Sequence, residues 1–262
     1  MRIAAHRAAV ALLATLGSGS TARADLSTWF WRSGEAPAEK QQSVVPKSKA
    51  PKGEAAGDDA KSGRGSSAMV PRLVPATGDD AAYTAFDQGQ YLTALKLAEE
   101  AAARGEAQAN TLIGRIYAEG LGVNRDEKAA VEYYRRAAER GDVQGTFALG
   151  VMLAEGRGVG KDLNMAAEHF ETAARTGHAE ANYNLGMLFL TGKGKPENPR
   201  RAAQHIRFAA ERGIVPAMYD LAAMYQSGSG VEPNALETAR WLSRAAARGY
   251  APAEYDYAVV LL

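Results

Sequence analysis

The chain has 262 residues, 46% of them hydrophobic, enough for one or two ordinary domains or a single elongated array. Its 31 basic and 30 acidic residues leave a net charge of +1, which excludes a general nucleic-acid binder, since that needs a basic surplus gathered on one face. It has no cysteine, so neither disulfides nor a lipid anchor on an N-terminal cysteine can form.

Residues 1–24 read as a secretory signal peptide. Arg2, His6 and Arg7 precede the apolar run Ala8 to Leu16, and Ala22-Arg23-Ala24 supplies a small-x-small cleavage site. The run is well short of the roughly 20 residues that a membrane span needs, so an uncleaved anchor is the weaker reading. Cleavage after Ala24 removes Arg2, Arg7 and Arg23 and no acid, taking the net charge from +1 to −2. The expected location is the bacterial periplasm, or outside the cell.

Residues 25–80 shift to Pro, Ser, Gly, Lys and Ala with no apolar periodicity, as expected of a disordered linker. From Lys40 to Pro75 this stretch holds a surplus of four positive charges, suited to weak contact with an anionic envelope polymer, although solvation alone accounts for most such runs. Trp29-Phe30-Trp31 stands in otherwise polar surroundings, where aromatic rings are costly to leave wet. Docking on the folded part, on a membrane surface or on a partner are equal readings.

From residue 81 to 262 the chain repeats with a period of 36, marked by Gly105, Gly141, Gly177, Gly213 and Gly249. A period of that size is the signature of a stacked array, in which one unit cannot bury its apolar face alone and its neighbours cover it. The expected fold is therefore all-α, an α-solenoid of helix-turn-helix repeats. A shorter capping unit spans 81–105, full repeats span 106–141, 142–177, 178–213 and 214–249, and residues 250–262 start a further one. That last segment, Tyr255 to Leu262, is apolar, and predicts that the chain continues or that a partner or second copy covers the edge.

Each repeat predicts two helices. The first, for example Ala179 to Leu190, has apolar residues at i, i+3 and i+4 and a small residue at Gly114, Gly150, Gly186 or Ala222, where a neighbouring helix can approach closely. A Gly-x-Gly connection follows (Gly120/Gly122, Gly156/Gly158, Gly192/Gly194, Gly228/Gly230), whose glycines permit a left-handed turn. The second helix begins at Asp126, Asp162, Asn198 and Asn234, all of N-cap type. It carries an aromatic or His slot (Tyr133, His169, His205, Trp241), then a large residue (Tyr134, Phe170, Ile206, Leu242) and an alanine pair, so that knobs face small residues.

The motif Ala-x-x-x-Leu-Gly-x-x-Tyr/Phe, then Gly-x-Gly-Val, an acidic or amide cap and Ala-Ala-x-x-Gly, resembles the Sel1-like repeat, a relative of the tetratricopeptide repeat. Ala181-Asn182-Tyr183-Asn184-Leu185-Gly186 is close to that consensus. The resemblance implies an adaptor or regulator that holds protein partners. Exported bacterial members act in envelope signalling, including restraint of membrane sensor kinases, so a membrane sensor or envelope protein is the implied partner. One exported branch is cysteine-rich, and this chain departs from it.

By the same resemblance the first helices line a concave face. Transferred by position, Arg115, Val151, Met187 and Ala223 fall in the groove, with Thr111, Phe147, Tyr183 and Tyr219 beside them. The near-aromatic stripe suits an extended or helical peptide, against packing between repeats as the competing reading. A peptidoglycan or polysaccharide binder, with tyrosines stacked on sugar rings, is the alternative function. His169 and His205 share one slot in successive repeats, but no third or fourth ligand recurs, so no metal is expected. No nucleophile with its base, carboxylate pair or strand-flanked phosphate loop stands out, so no catalytic residue, cofactor or enzyme activity is expected.

Overall fold

The structure, a computed structural model, describes residues 78–261. The signal peptide, the linker up to residue 77 with its basic stretch, and Trp29 to Trp31 lie outside the described residues. Among the described residues there are eleven helices and no strand. They are α1 (Gly78–Asp87), α2 (Tyr91–Ala103), α3 (Ala107–Glu119), α4 (Glu127–Glu139), α5 (Val143–Glu155), α6 (Leu163–Arg175), α7 (Ala179–Thr191), α8 (Pro199–Glu211), α9 (Val215–Ser227), α10 (Ala235–Ala246) and α11 (Ala251–Val260). The first of them begins at Gly78, a few residues before the expected end of the linker at 80. Each helix packs chiefly on the helix before and after it, and the odd-numbered ones also touch directly, α1 against α3 and α3 against α5.

The starts of the second helices follow from their cap residues. Asp126 accepts from the Ala129 amide at 2.9 Å, Asp162 from Asn164 and Met165, Asn198 from Arg201, and Asn234 from Leu236 and Glu237. Each satisfies donors that the first helical turn leaves unpaired. The same four residues close the preceding loop through the backbone, their amides donating to the carbonyls of Tyr117, Leu153, Phe189 and Tyr225 at 2.8 to 3.0 Å. Cap and loop are thus one local unit, repeated every 36 residues.

The two glycines of each Gly-x-Gly do different work. Gly156, in the first place, caps α5 with φ 77°. Gly158, in the second, has φ 67°, and a Cβ built on it would overlap the carbonyl oxygen of Glu127, at the start of the previous repeat's second helix. Gly194 and Gly230 meet Leu163 and Pro199 in the same way. The second glycine is therefore where one repeat seats on the backbone of the last, a role beyond the turn that its spacing suggested.

The small residue of each first helix lies under the large knob of the second. A Cβ on Gly114 would come within 2.7 Å of the Tyr134 ring, on Gly150 within 2.8 Å of Phe170, and on Gly186 within 2.7 Å of Ile206. Phe170, Ile206, Leu185 and Leu221 are fully buried as a result. Each such side chain contributes roughly 1.5–3 kcal/mol of burial. The core runs along the array, with one cluster from Ala82 to Ile116 and a longer one from Ala118 to Ala253. On α11 only Ala253 is buried, and Tyr255, Val259, Val260 and Leu261 are exposed.

Candidate functional site

The eight residues expected in and beside the groove form two rows along the first helices, and their exposure is uneven. Arg115 and Ala223 are exposed, and Thr111, Phe147, Val151 and Tyr219 are half-buried. Tyr183 and Met187 are buried, with 4% and 9% of their surface accessible. What α7 presents at this face is therefore backbone-proximal packing rather than free side chains.

The burial of the tyrosine row has a specific cause. Tyr183 donates its hydroxyl to Asp220 Oδ2 at 2.9 Å, and Tyr219 donates to Asp256 Oδ2 at 2.8 Å. Each bond crosses from one repeat to the next, so the row clamps neighbouring repeats. Thr111 makes a related bond to Asp142 Oδ2 at 2.6 Å, and that carboxylate also caps α5 through the Gly145 amide. Burial pushes the Asp220 carboxyl up to about 6, with the Tyr183 hydrogen bond acting the other way. It raises the Tyr183 hydroxyl as well, reinforced by the neighbouring Asp220 charge.

At the junction before, Phe147 has no hydroxyl to give. Its ring packs on Phe170 at 5.8 Å and on the His178 imidazole at 4.5 Å. Asn184, in register with Asp220 and Asp256, is fully buried, and both its side-chain nitrogen and oxygen are without a hydrogen-bond partner. An unsatisfied buried amide costs about 1–3 kcal/mol.

His169 and His205 do not work as a pair. His205 stacks on Phe189 and bonds through Nδ1 to Asn182 Oδ1 at 2.9 Å. Asn182 meanwhile donates Nδ2 to the carbonyls of His178 and Ala174, so its oxygen is the acceptor and His205 carries its proton on Nδ1. Burial lowers the pKa of both histidines. Among the described residues no three or more His, Cys, Asp or Glu side chains converge as a metal site would need. Two surface hollows of about 560 and 370 Å³ lie elsewhere, one around Arg200, Gly230 and Glu232 and the other around Glu99, Tyr133 and Arg136.

Helical periodicity alone does not single out Asp220, Asp256, Asn182 or Asn184. A signal existed for the first two, since a Tyr followed by an Asp 37 residues later occurs twice, at 183/220 and 219/256. Asn184 could be seen to be an orphan only once its surroundings were known.

The repeats match the Sel1 repeat at residues 107–142, 143–178, 179–214 and 215–250. The crystal structure of a Sel1 repeat protein from Oxalobacter formigenes is similar, with 29% identity and a TM-score of 0.64, covering 69% of this chain and 74% of that one. So is that of c5321, a protective antigen present in uropathogenic Escherichia coli strains and displaying the SLR fold, again at 29% identity and a TM-score of 0.64. That match covers 69% of this chain but 41% of c5321, so this chain spans less than half of its length. No protein of curated function matches. With four consecutive repeat matches over more than half of its residues, and with each match divided into the same capped helix pair, the chain belongs to the Sel1 repeat family.

Proposed function

We propose that this protein is a periplasmic interaction scaffold or regulator that holds a protein partner on the face of its first helices, possesses no chemistry of its own, and acts in envelope signalling. Sel1 repeat proteins generally mediate protein–protein interaction. The observation that carries the reading to this face is the presence of accessible first-helix side chains, Arg115 and Ala223 exposed and Val151 half-buried, on repeats that hydrogen bonds tie to one another. Direct contact of α1 with α3 and of α3 with α5 supports an inner, concave position for that layer. Export rests on the charged, apolar and small-residue pattern of residues 1–24. The sugar-stacking alternative is weaker, because Tyr183 offers no free ring face.

The test is in-cell photo-cross-linking of envelope fractions from a reactive group at Ala223, with the exposed second-helix residue Arg240 as control. A discrete protein adduct at Ala223 alone is the expected result. Adducts equal to those of Arg240, or none, would remove this face as the partner site.

A further inference from the structure

Helix α3 packs on both α2 and α4, and a hollow of about 370 Å³ opens among the three. That is the low end of the roughly 300–1,000 Å³ of small-ligand sites. Ile113, fully buried on α3, gives it an apolar wall. Its polar groups are Glu99 from α2, Asn110 from α3, and Tyr133, Arg136 and Arg140 from α4 and its C-terminal end.

These groups do not satisfy one another. Asn110 is 2% exposed and donates Nδ2 to the Glu106 carbonyl at 3.2 Å, while no donor among the described residues reaches its oxygen. Arg136 lies over the Tyr133 ring at 5.1 Å, and Arg140 reaches the Arg136 carbonyl at 3.5 Å. Among the described residues neither arginine forms an ion pair, and neither does Glu99. A carboxylate and two guanidinium groups thus border one space without meeting.

The equivalent places in the later repeats are closed. Thr146, one period after Asn110, donates to the Asp142 carbonyl at 2.7 Å. The oxygen of Asn182, two periods on, accepts from His205 Nδ1 at 2.9 Å. The arginine pair recurs as Arg244 and Arg248, but Met218 there replaces the asparagine, and Arg248 Nη1 reaches its sulfur at 3.7 Å. Among these four places the first alone combines two unpaired arginines with a buried acceptor left open.

A plain anion would suit the arginines, yet it would leave the Asn110 oxygen unmet and lie near the Glu99 charge. A plain cation would do the reverse. A molecule with a carboxylate at one end and N–H groups at the other satisfies every group. Guanidinium takes a carboxylate through paired, charge-assisted hydrogen bonds, and an amide or ammonium supplies the donors that Asn110 and Glu99 accept. We propose that this hollow binds a short peptide with both ends free, about two residues long at this volume, with its carboxylate on Arg136 and Arg140 and its N–H groups toward Asn110 and Glu99. The site does not rest on the partner reading above.

The experiment titrates the ¹⁵N-labelled full chain with L-alanyl-L-alanine and follows the Asn110 side-chain amide and the Arg136 and Arg140 Nε–H resonances by NMR. Saturable shifts with a dissociation constant on the order of 1 mM are expected of so small a ligand. The N-acetylated and C-amidated dipeptides should each bind at least about threefold more weakly. R136Q/R140Q, at two exposed positions, should weaken binding of the free dipeptide by about fivefold or more. N110M, which installs the residue that the fold carries at Met218, should weaken it by about threefold. No saturation by about 50 mM, or equal binding of the blocked dipeptides or by R136Q/R140Q, would overturn the proposal. Inorganic phosphate binding as tightly at the same resonances would overturn it too, by reducing the hollow to a simple anion site.

Discussion

Tyr183 and Asp220 share a 2.9 Å hydrogen bond across a repeat junction, whereas one period earlier Phe147 and Asn184 occupy the same two positions and leave the amide unsatisfied. The two junctions use equivalent positions of the repeat and have opposite polar balance. The tyrosine row is thus a clamp with one tooth missing, and the missing tooth can be supplied.

Replacing Asn184 by leucine removes the orphaned amide while keeping a buried side chain of similar size, and should stabilise the chain by about 1–2 kcal/mol. F147Y should stabilise it too, by about 0.5–1.5 kcal/mol, if the new hydroxyl meets the Asn184 side chain. Combined, F147Y and N184L should fall short of additivity, because the hydroxyl then lacks its partner. Urea unfolding midpoints of the four proteins check this, and full additivity would break the assigned pairing.

Asp220 makes stability depend on pH in the direction opposite to ordinary acid denaturation. Its carboxyl is raised from 3.8 to about 6 in the folded chain, so the folded state binds more protons than the unfolded one between those values. Its contribution is therefore greatest below about pH 4 and declines as pH rises through about 6, on the order of 3 kcal/mol in all. D220N stays neutral and keeps an acceptor for the Tyr183 hydroxyl. Its stability relative to the parent should be most favourable near about pH 7.5 and lose most of that gain by about pH 4.5. A difference that stays constant across this range would show that Asp220 is not buried as described.

Gly158 and Gly160 sit two residues apart in one loop with unlike surroundings. A Cβ at Gly158 requires left-handed backbone and overlaps Glu127, whereas Gly160 has nothing within 4 Å. G158A should therefore destabilise by about 2 kcal/mol or more, and G160A should change stability by less than about 1 kcal/mol. Similar losses for both in thermal unfolding would remove the second glycine from the repeat junction.

Arg157 links two repeats, reaching Glu127 at 2.9 Å and Glu155 at 3.1 Å. Its hydrogen bonds, together with those from Arg125, hold the Glu127 carboxyl below its usual range. The pairs are partly solvated, so R157A should cost only about 0.5–1 kcal/mol, and less in about 0.5 M salt. A larger, salt-independent loss would mean that the packing of the arginine stem, not its charge, joins these repeats.

The period, helix pairing and cap positions were legible in the sequence because each depends on residues close together in the chain. Asp162 caps α6 through Asn164 and Met165, a few residues away, and Gly156 ends α5 by its own left-handed backbone. Such local requirements leave the same mark every 36 residues. The accessibility of the tyrosine row was not legible in that way. Tyr183 and Tyr219 hold equivalent places, yet one is buried and the other half-buried, because each exposure depends on side chains brought in by the next repeat. The orphaning of Asn184 and the meeting of Gly158 with Glu127 are likewise products of stacking. Chain-local geometry determined the repeat, and only the tertiary contact between repeats decided which side chains remain at its surface.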